Sequence, residues 1–88
     1  MSPIKISIIL PVYNSAATLE KSLDSALGQT LRELEVIAVD DGSADKSLRL
    51  LKQRAAADPR LRVIAFPENR GTLIARAEAV RAAQGEYL

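Results

Sequence analysis

The chain contains no cysteine and no histidine, and its aromatic residues are limited to two tyrosines and one phenylalanine. Without thiols it forms no disulfide and offers no thiolate nucleophile. Without Cys and His together it builds no zinc centre of the usual ligand types, and no imidazole is present to act as a general base. Any chemistry must therefore rest on carboxylates, hydroxyls, amides, lysine or arginine. So few aromatics leave little to stack on bases. A net charge of +1, with basic residues spread along the chain, is no electrostatic footprint for nucleic acid either. We expect no nucleic-acid partner. Long hydrophobic runs are also missing. The stretch from Ile4 to Val12 is interrupted by Lys5, Ser7 and Pro11 and is too short to span a bilayer. With a lysine inside it and no clean small-residue cleavage site behind it, it makes a poor signal peptide. The expected location is cytoplasmic, in solution or at the inner face of the membrane.

What remains suits one small core. The chain has 88 residues, 48% hydrophobic and 26% charged, a globular balance at the low end of domain size. Ile4-Lys5-Ile6-Ser7-Ile8-Ile9-Leu10 begins with alternation and becomes continuously apolar, which predicts a central strand of a parallel sheet, ended by Pro11. Asn14-Ser15 is placed to cap a helix in which Leu19, Leu23, Ala26 and Leu27 recur at helical spacing, closed by Gly28. The β-branched run from Glu35 to Val39 predicts a second strand, with Asp40-Asp41-Gly42 as the turn after it. A second helix starts at Ser43 or Asp45, turns Leu48, Leu51 and Ala55 inward and Arg49, Lys52 and Gln53 outward, and stops at Asp58-Pro59. Leu61 to Phe66 is a third strand, Thr72 to Gln84 a third helix stopped by Gly85, and Glu86-Tyr87-Leu88 the opening of a fourth strand. The order β-α-β-α-β-α-β predicts an α/β fold, a Rossmann-like parallel sheet with right-handed crossovers and helices on both faces.

Such sheets bind ligands beyond the carboxyl ends of their strands. Three loops fall there: Pro11-Val12-Tyr13-Asn14, Asp40-Asp41-Gly42-Ser43 and Pro67-Glu68-Asn69-Arg70-Gly71. Adjacent carboxylates suit the N–H or O–H donors of a base or ribose, and a helix start offers backbone N–H groups to phosphate. The same Asp40-Asp41-Gly42-Ser43 is also what a turn and helix cap need, and on spacing alone the two readings stand level. Tyr13 either stacks on a base or covers the sheet edge, and Arg76 either reaches over the pocket or is a solvated charge. Gly42 and Gly71 suit positive φ without any ligand. Neither a Gly-x-Gly-x-x-Gly nor a P-loop pattern occurs.

Taken together, Ser7-Ile8-Ile9-Leu10-Pro11-Val12-Tyr13-Asn14, Ser25-Ala26-Leu27-Gly28-Gln29-Thr30, the run Glu35 to Asp45, Asn69-Arg70-Gly71, Ala75-Arg76 and Gly85-Glu86-Tyr87 resemble the family 2 glycosyltransferases of GT-A fold. The resemblance covers nearly the whole chain. It implies that residues 1–88 form a single nucleotide-sugar-binding unit, the N-terminal half of a GT-A fold. In that unit the Pro11-Val12-Tyr13 loop borders the base, Asp41 accepts a hydrogen bond from it, Asp40 supports the site, and Arg76 approaches the base or phosphates. The implied reaction transfers a sugar from a nucleoside-diphosphate donor, UDP by family habit, to a saccharide or lipid-linked acceptor with inversion, in cell-envelope polysaccharide synthesis. The metal motif for Mg²⁺ or Mn²⁺ and the catalytic carboxylate of such enzymes are expected beyond residue 88, so this chain alone is expected to bind nucleotide without completing catalysis. An uncovered sheet edge would favour self-association. The competing reading is a non-catalytic regulatory α/β module whose acidic pair binds Mg²⁺. A nucleotidyltransferase is weaker, since Pro11-Val12-Tyr13-Asn14 is neither glycine-rich nor basic.

Overall fold

The computed structural model describes residues 6–28 and 34–83 and the backbone of Glu86 and Tyr87. The proposed roles of Ile4 and Lys5 in the first strand, of Gln84 and Gly85 in ending the last helix, and of Leu88 in the fourth strand lie outside the described residues. The elements run β1 (Ile6–Val12), α1 (Ala16–Leu27), β2 (Leu34–Asp41), α2 (Ser47–Ala57), β3 (Leu61–Phe66), α3 (Thr72–Ala82) and β4 (Glu86–Tyr87). The strands form one parallel sheet in the order β3-β2-β1-β4. The predicted α/β order therefore holds, and β1 sits inside the sheet.

Pairing shows where local signals mislead. Pro11 does not end β1; it stays in register opposite Val39, and the strand runs on to Val12 opposite Asp40. Among the described residues β4 flanks only Ile6 and Ser7. Beyond Ser7 the outer side of β1 thus has no described strand partner, and a proline that donates nothing is tolerated there. The strand sealed along its whole length is β2, where every residue from Leu34 to Asp41 is buried. Likewise Asp40 and Asp41 are not a turn but the last two rungs of β2, opposite Ala65 and Phe66 of β3.

Two hydrophobic layers hold the sheet. On one face α1 and α2 bring Leu19, Leu23, Leu27 and Leu51 against Val12, Val36, Ala38 and Leu61. On the other, α3 lays Ala75 and Ala79 on Ile9, Ile37 and Val39. Small side chains let α3 pack close to the sheet. Its larger residues point elsewhere, with Leu73 83% and Ile74 47% exposed, so the apolar pattern that marks the helix does not mark its buried face. In α2 Leu51 is fully buried, whereas Arg49, Lys52 and Gln53 face solvent.

Polar ties join the layers. Glu35 is buried beneath the C-terminal end of α3 and accepts from Ser7 Oγ at 2.7 Å and Arg62 Nη1 at 3.1 Å. Arg62 also donates to the Ala82 carbonyl at 2.9 Å, so this carboxylate is compensated as a buried charge must be. On the other face Arg60 donates to Asp58 Oδ2 at 2.9 Å and to the Leu27 carbonyl at 2.7 Å, bracing the end of α1. Arg54 of α2 donates to Asp24 of α1 at 2.7 Å.

Candidate functional site

Strand alternation decides what the acidic pair can do. Successive side chains leave a strand on opposite faces, so Asp40 joins the face of Val36 and Ala38 while Asp41 joins that of Ile37 and Val39. The two carboxylates diverge.

Asp41 is 3% exposed, and its carboxylate is gripped by the loop that follows β3. Arg70 N donates to Oδ1 at 2.7 Å, Gly71 N to Oδ2 at 2.9 Å and Asn69 Nδ2 to Oδ2 at 3.0 Å. Asn69 Nδ2 also reaches the Asp41 carbonyl at 3.3 Å. Asp41 therefore sits at the N-terminus of α3, where the helix dipole favours an anion. Gly42 makes this possible. Its φ is +70°, and a Cβ there would fall inside the van der Waals shells of the Asn69 nitrogen and the Glu68 carbonyl carbon. The loop 67–71 rests directly on Gly42. Gly71, at φ +97°, then turns the chain into α3.

Asp40 is 1% exposed; its Oδ2 accepts from Ser43 N at 3.3 Å, and its Oδ1 has no partner among the described residues. Around it the loops after β1 and β2 are stitched together. Asn14 adopts φ +48°, an uncommon conformation that asparagine tolerates better than most residues. Its N–H donates to Ser43 Oγ at 2.9 Å, and its side-chain oxygen accepts from Ala44 N at 2.7 Å. Asp45, one of the two residues expected to start the second helix, does that capping and also serves α1, where Asn14-Ser15 is the expected cap. It accepts from Ala16 N of α1 at 3.1 Å, and from Ser47 N and Oγ of α2 at 2.9 and 2.6 Å. Ser15 stands at the N-cap of α1 but spends its hydroxyl on the Tyr13 carbonyl at 3.0 Å. Helix α2 consequently starts later than the sequence suggests, at Ser47.

One N–H at each helix start is engaged by an aspartate: Ala16 N of α1 and Ser47 N of α2 by Asp45, and Gly71 N at the N-cap of α3 by Asp41.

Hydrogen bonds from Ser47 and Ala16 hold the Asp45 carboxyl below the usual aspartate range, and those from Arg60 do the same for Asp58. A depressed native pKa means that the stabilisation is complete above the unfolded value, near pH 3.9, and is lost as pH falls through the native one. Acid titration followed by circular dichroism should show stability flat from neutrality down to about pH 5 and declining below about pH 4. In Asp45→Asn that decline should be shallower, from a lower starting stability.

Pro11, Tyr13 and Asp41, together with Val12 and Thr72, line a small cleft of ≈ 50 Å³ at the carboxyl end of the sheet. Tyr13 is half-exposed at its lip. Asp40 lies on the other face of the strand. Arg76 is solvent-exposed, one turn along α3 from Thr72, and does not line the cleft. Two larger concavities, of ≈ 560 and ≈ 580 Å³, are shallow grooves, one between α1 and Ile8 and Leu10 of β1 and the other on the α2 surface, away from these loops. Sequence reasoning missed Thr72 as a lining residue and Asn69 as the partner of Asp41. The signal available was an asparagine two residues before a glycine that opens a helix.

A divalent metal does not fit these side chains. Asp40 and Asp41 point to opposite faces, the Asp41 oxygens already accept three N–H donors, and no group of three His, Cys, Asp or Glu converges among the described residues. Nor is any described helix long and apolar enough to cross a membrane.

Comparison with known proteins places this geometry. An uncharacterized glycosyltransferase of Haemophilus influenzae is 39% identical over 83 residues, covering 94% of this chain and 33% of the relative. The crystal structure of S. aureus TarS 1-349 in complex with UDP superposes with a TM-score of 0.84 at 31% identity, covering 96% of this chain and 26% of that one. The mannosyltransferase PcManGT from Pyrobaculum calidifontis, in complex with GDP-Man and Mn²⁺, matches with a TM-score of 0.81 at 31% identity, covering 94% and 25%. The chain thus spans about a third of the curated relative's length and about a quarter of each solved chain. The sequence model of glycosyl transferase family 2 matches residues 7–88. With its Rossmann-like parallel sheet and its cleft at the strand ends, this chain belongs to glycosyl transferase family 2, with the GT-A fold of its structural neighbours.

Proposed function

We propose that residues 1–88 are the nucleotide-binding part of an enzyme that transfers a sugar, with inversion, from a UDP-sugar to a saccharide or lipid-linked acceptor during cell-envelope polysaccharide synthesis. The observation that carries this reading is Asp41, a buried carboxylate at the wall of a cleft shared with Pro11 and Tyr13. A carboxylate only accepts, so it selects a base edge that donates, such as the imide N–H of uracil. Tyr13 supplies a half-exposed ring at the lip for the face of that base. Asp40 supports the second loop from beneath through Ser43, and Arg76, exposed on α3, is assigned to the diphosphate. None of these groups is cast as the catalyst. The divalent ion, Mg²⁺ or Mn²⁺, and the base that deprotonates the acceptor are assigned to other parts of the enzyme, and the site is placed on the cytoplasmic side.

The regulatory Mg²⁺-binding module is disfavoured by the divergence of Asp40 and Asp41 on opposite faces of β2. Calorimetry on this chain separates the readings. UDP should bind with Mg²⁺ absent, and UDP-sugar should yield no free UDP over background hydrolysis. Binding of Mg²⁺ without any binding of UDP would overturn the assignment, and robust sugar transfer by residues 1–88 alone would overturn the division of labour.

A further inference from the structure

We propose that Asn69 is the positioning residue that sets base selectivity, by fixing the rotation of the Asp41 carboxylate so that one lone pair of Oδ1 is offered to the cleft. The proposal deepens the nucleotide reading and rests on it. The terminal torsion of an aspartate is soft and broad, so its carboxylate plane needs clamping before it can favour one hydrogen-bonding edge over another. The clamp here is asymmetric. Oδ2 receives two donors, Gly71 N at 2.9 Å and Asn69 Nδ2 at 3.0 Å, whereas Oδ1 receives one, Arg70 N at 2.7 Å. A carboxylate oxygen has about two acceptor sites, which fills Oδ2 and leaves Oδ1 with one.

Of the three donors only Asn69 is a side chain. The same Nδ2 also donates to the Asp41 main-chain carbonyl at 3.3 Å, so it ties the carboxylate to its own backbone and opposes its rotation. Both partners are acceptors, which settles that the amide nitrogen, not its oxygen, points at Asp41. Asn69 is itself exposed, so its truncation opens no core.

Base chemistry then makes the consequence specific. Uracil presents an N–H where cytosine presents a bare nitrogen, so a fixed acceptor favours UDP over CDP, and a carboxylate free to turn discriminates less. Replacing Asn69 by aspartate sets a second carboxylate against Asp41. Like charges at that distance disfavour each other's ionised form, a conflict that a shared proton relieves.

The test titrates wild type, Asn69→Ala, Asn69→Ser and Asn69→Asp with UDP and with CDP, at about pH 7.5 and about pH 5.5, with thermal melts to check folding. Asn69→Ala should weaken UDP about tenfold and CDP far less, narrowing the selectivity. The serine hydroxyl should restore part of it. Asn69→Asp should bind UDP worse than Asn69→Ala at the higher pH and recover towards it at the lower. An unchanged UDP-to-CDP ratio in folded Asn69→Ala, or an Asn69→Asp no weaker than alanine, would overturn the role of Asn69 while leaving the nucleotide site intact. Failure of the wild type to bind UDP would remove the nucleotide reading and this inference with it.

Discussion

Asp41→Ala is expected to remove measurable nucleotide binding and to lower the melting temperature in the same variant. Both effects come from one carboxylate with two duties. Towards the cleft it is the acceptor assigned to the base. A hydrogen bond to a charged group contributes about 1.5–3 kcal/mol, so its loss alone weakens binding by roughly 10- to 150-fold. Towards the protein it is the anion at the head of α3, holding Arg70 N, Gly71 N and Asn69 Nδ2. Truncation leaves those part-buried donors unsatisfied, at about 1–3 kcal/mol for each that finds no water. For a chain of this length each kcal/mol moves the midpoint by roughly 4–8 °C, so a fall of about 10–20 °C is expected by circular dichroism. Asp41→Asn separates the duties. Its oxygen stays where it accepts from Gly71 N and Asn69 Nδ2, and its NH₂ group takes the position that faces Arg70 N and the cleft, so most nucleotide affinity should be lost with a smaller thermal penalty.

The second large effect is structural. Gly42→Ala should destabilise the chain by about 3 kcal/mol, a fall of roughly 12–24 °C in melting temperature. A non-glycine residue at φ +70° costs about 1–2 kcal/mol by itself. The remainder is the clash of the new methyl with the Asn69 nitrogen and the Glu68 carbonyl carbon, and with Glu68 Cα at 2.8 Å. These are backbone atoms and cannot swing away. Relief requires lifting the loop 67–71, which breaks the Asp41 clamp, so nucleotide affinity should fall together with stability. Gly71→Ala is the control. Its φ of +97° and ψ of 152° lie in a region essentially reserved for glycine, at about 1–3 kcal/mol, but nothing lies within 4 Å of the added carbon, so only this conformational cost applies and no loop has to lift.

Where one force dominated, the fold was legible from residue order. The β-branched content of β2, the alternation of hydrophobic runs with helical periodicity, and the proline after Asp58 led to the right element order, the right bounds for β3 and the right end for α2. Errors arose where tertiary pairing overrode local preference. Pro11 looks like a stop but occupies a rung whose missing N–H is not required on the far side of the strand. Asp40, Asp41 and Gly42 look like a turn, yet β2 is gripped on both sides and carries both aspartates into the sheet. On α3 it is Ala75 and Ala79 that are buried against the sheet, while Leu73 and Ile74 are exposed.

The candidate site shows the same division. That Pro11, Tyr13 and Asp41 share one cleft follows from strand-end placement, which sequence order reveals. That Asp40 and Asp41 still belong to β2, and so face opposite ways, depends on pairing with β1 and β3, and that Asp45 reaches α1 and Asp41 the N-cap of α3 depends on hydrogen bonds between residues about 30 apart in the chain. No local pattern carries that information. Arg76, singled out from its place beside Ala75, is exposed and outside the cleft lining.

The central claim is that a uridine nucleotide binds at the carboxyl end of this sheet through Asp41. Amide NMR of the isotopically labelled chain during titration with UDP tests it most directly. The account predicts saturable shifts concentrated at Val12 to Asn14, Asp41 to Ser43 and Asn69 to Arg76, absent in the Asp41→Asn variant. Shifts centred on the groove of α1 or of α2, or none while the chain remains folded, would contradict it.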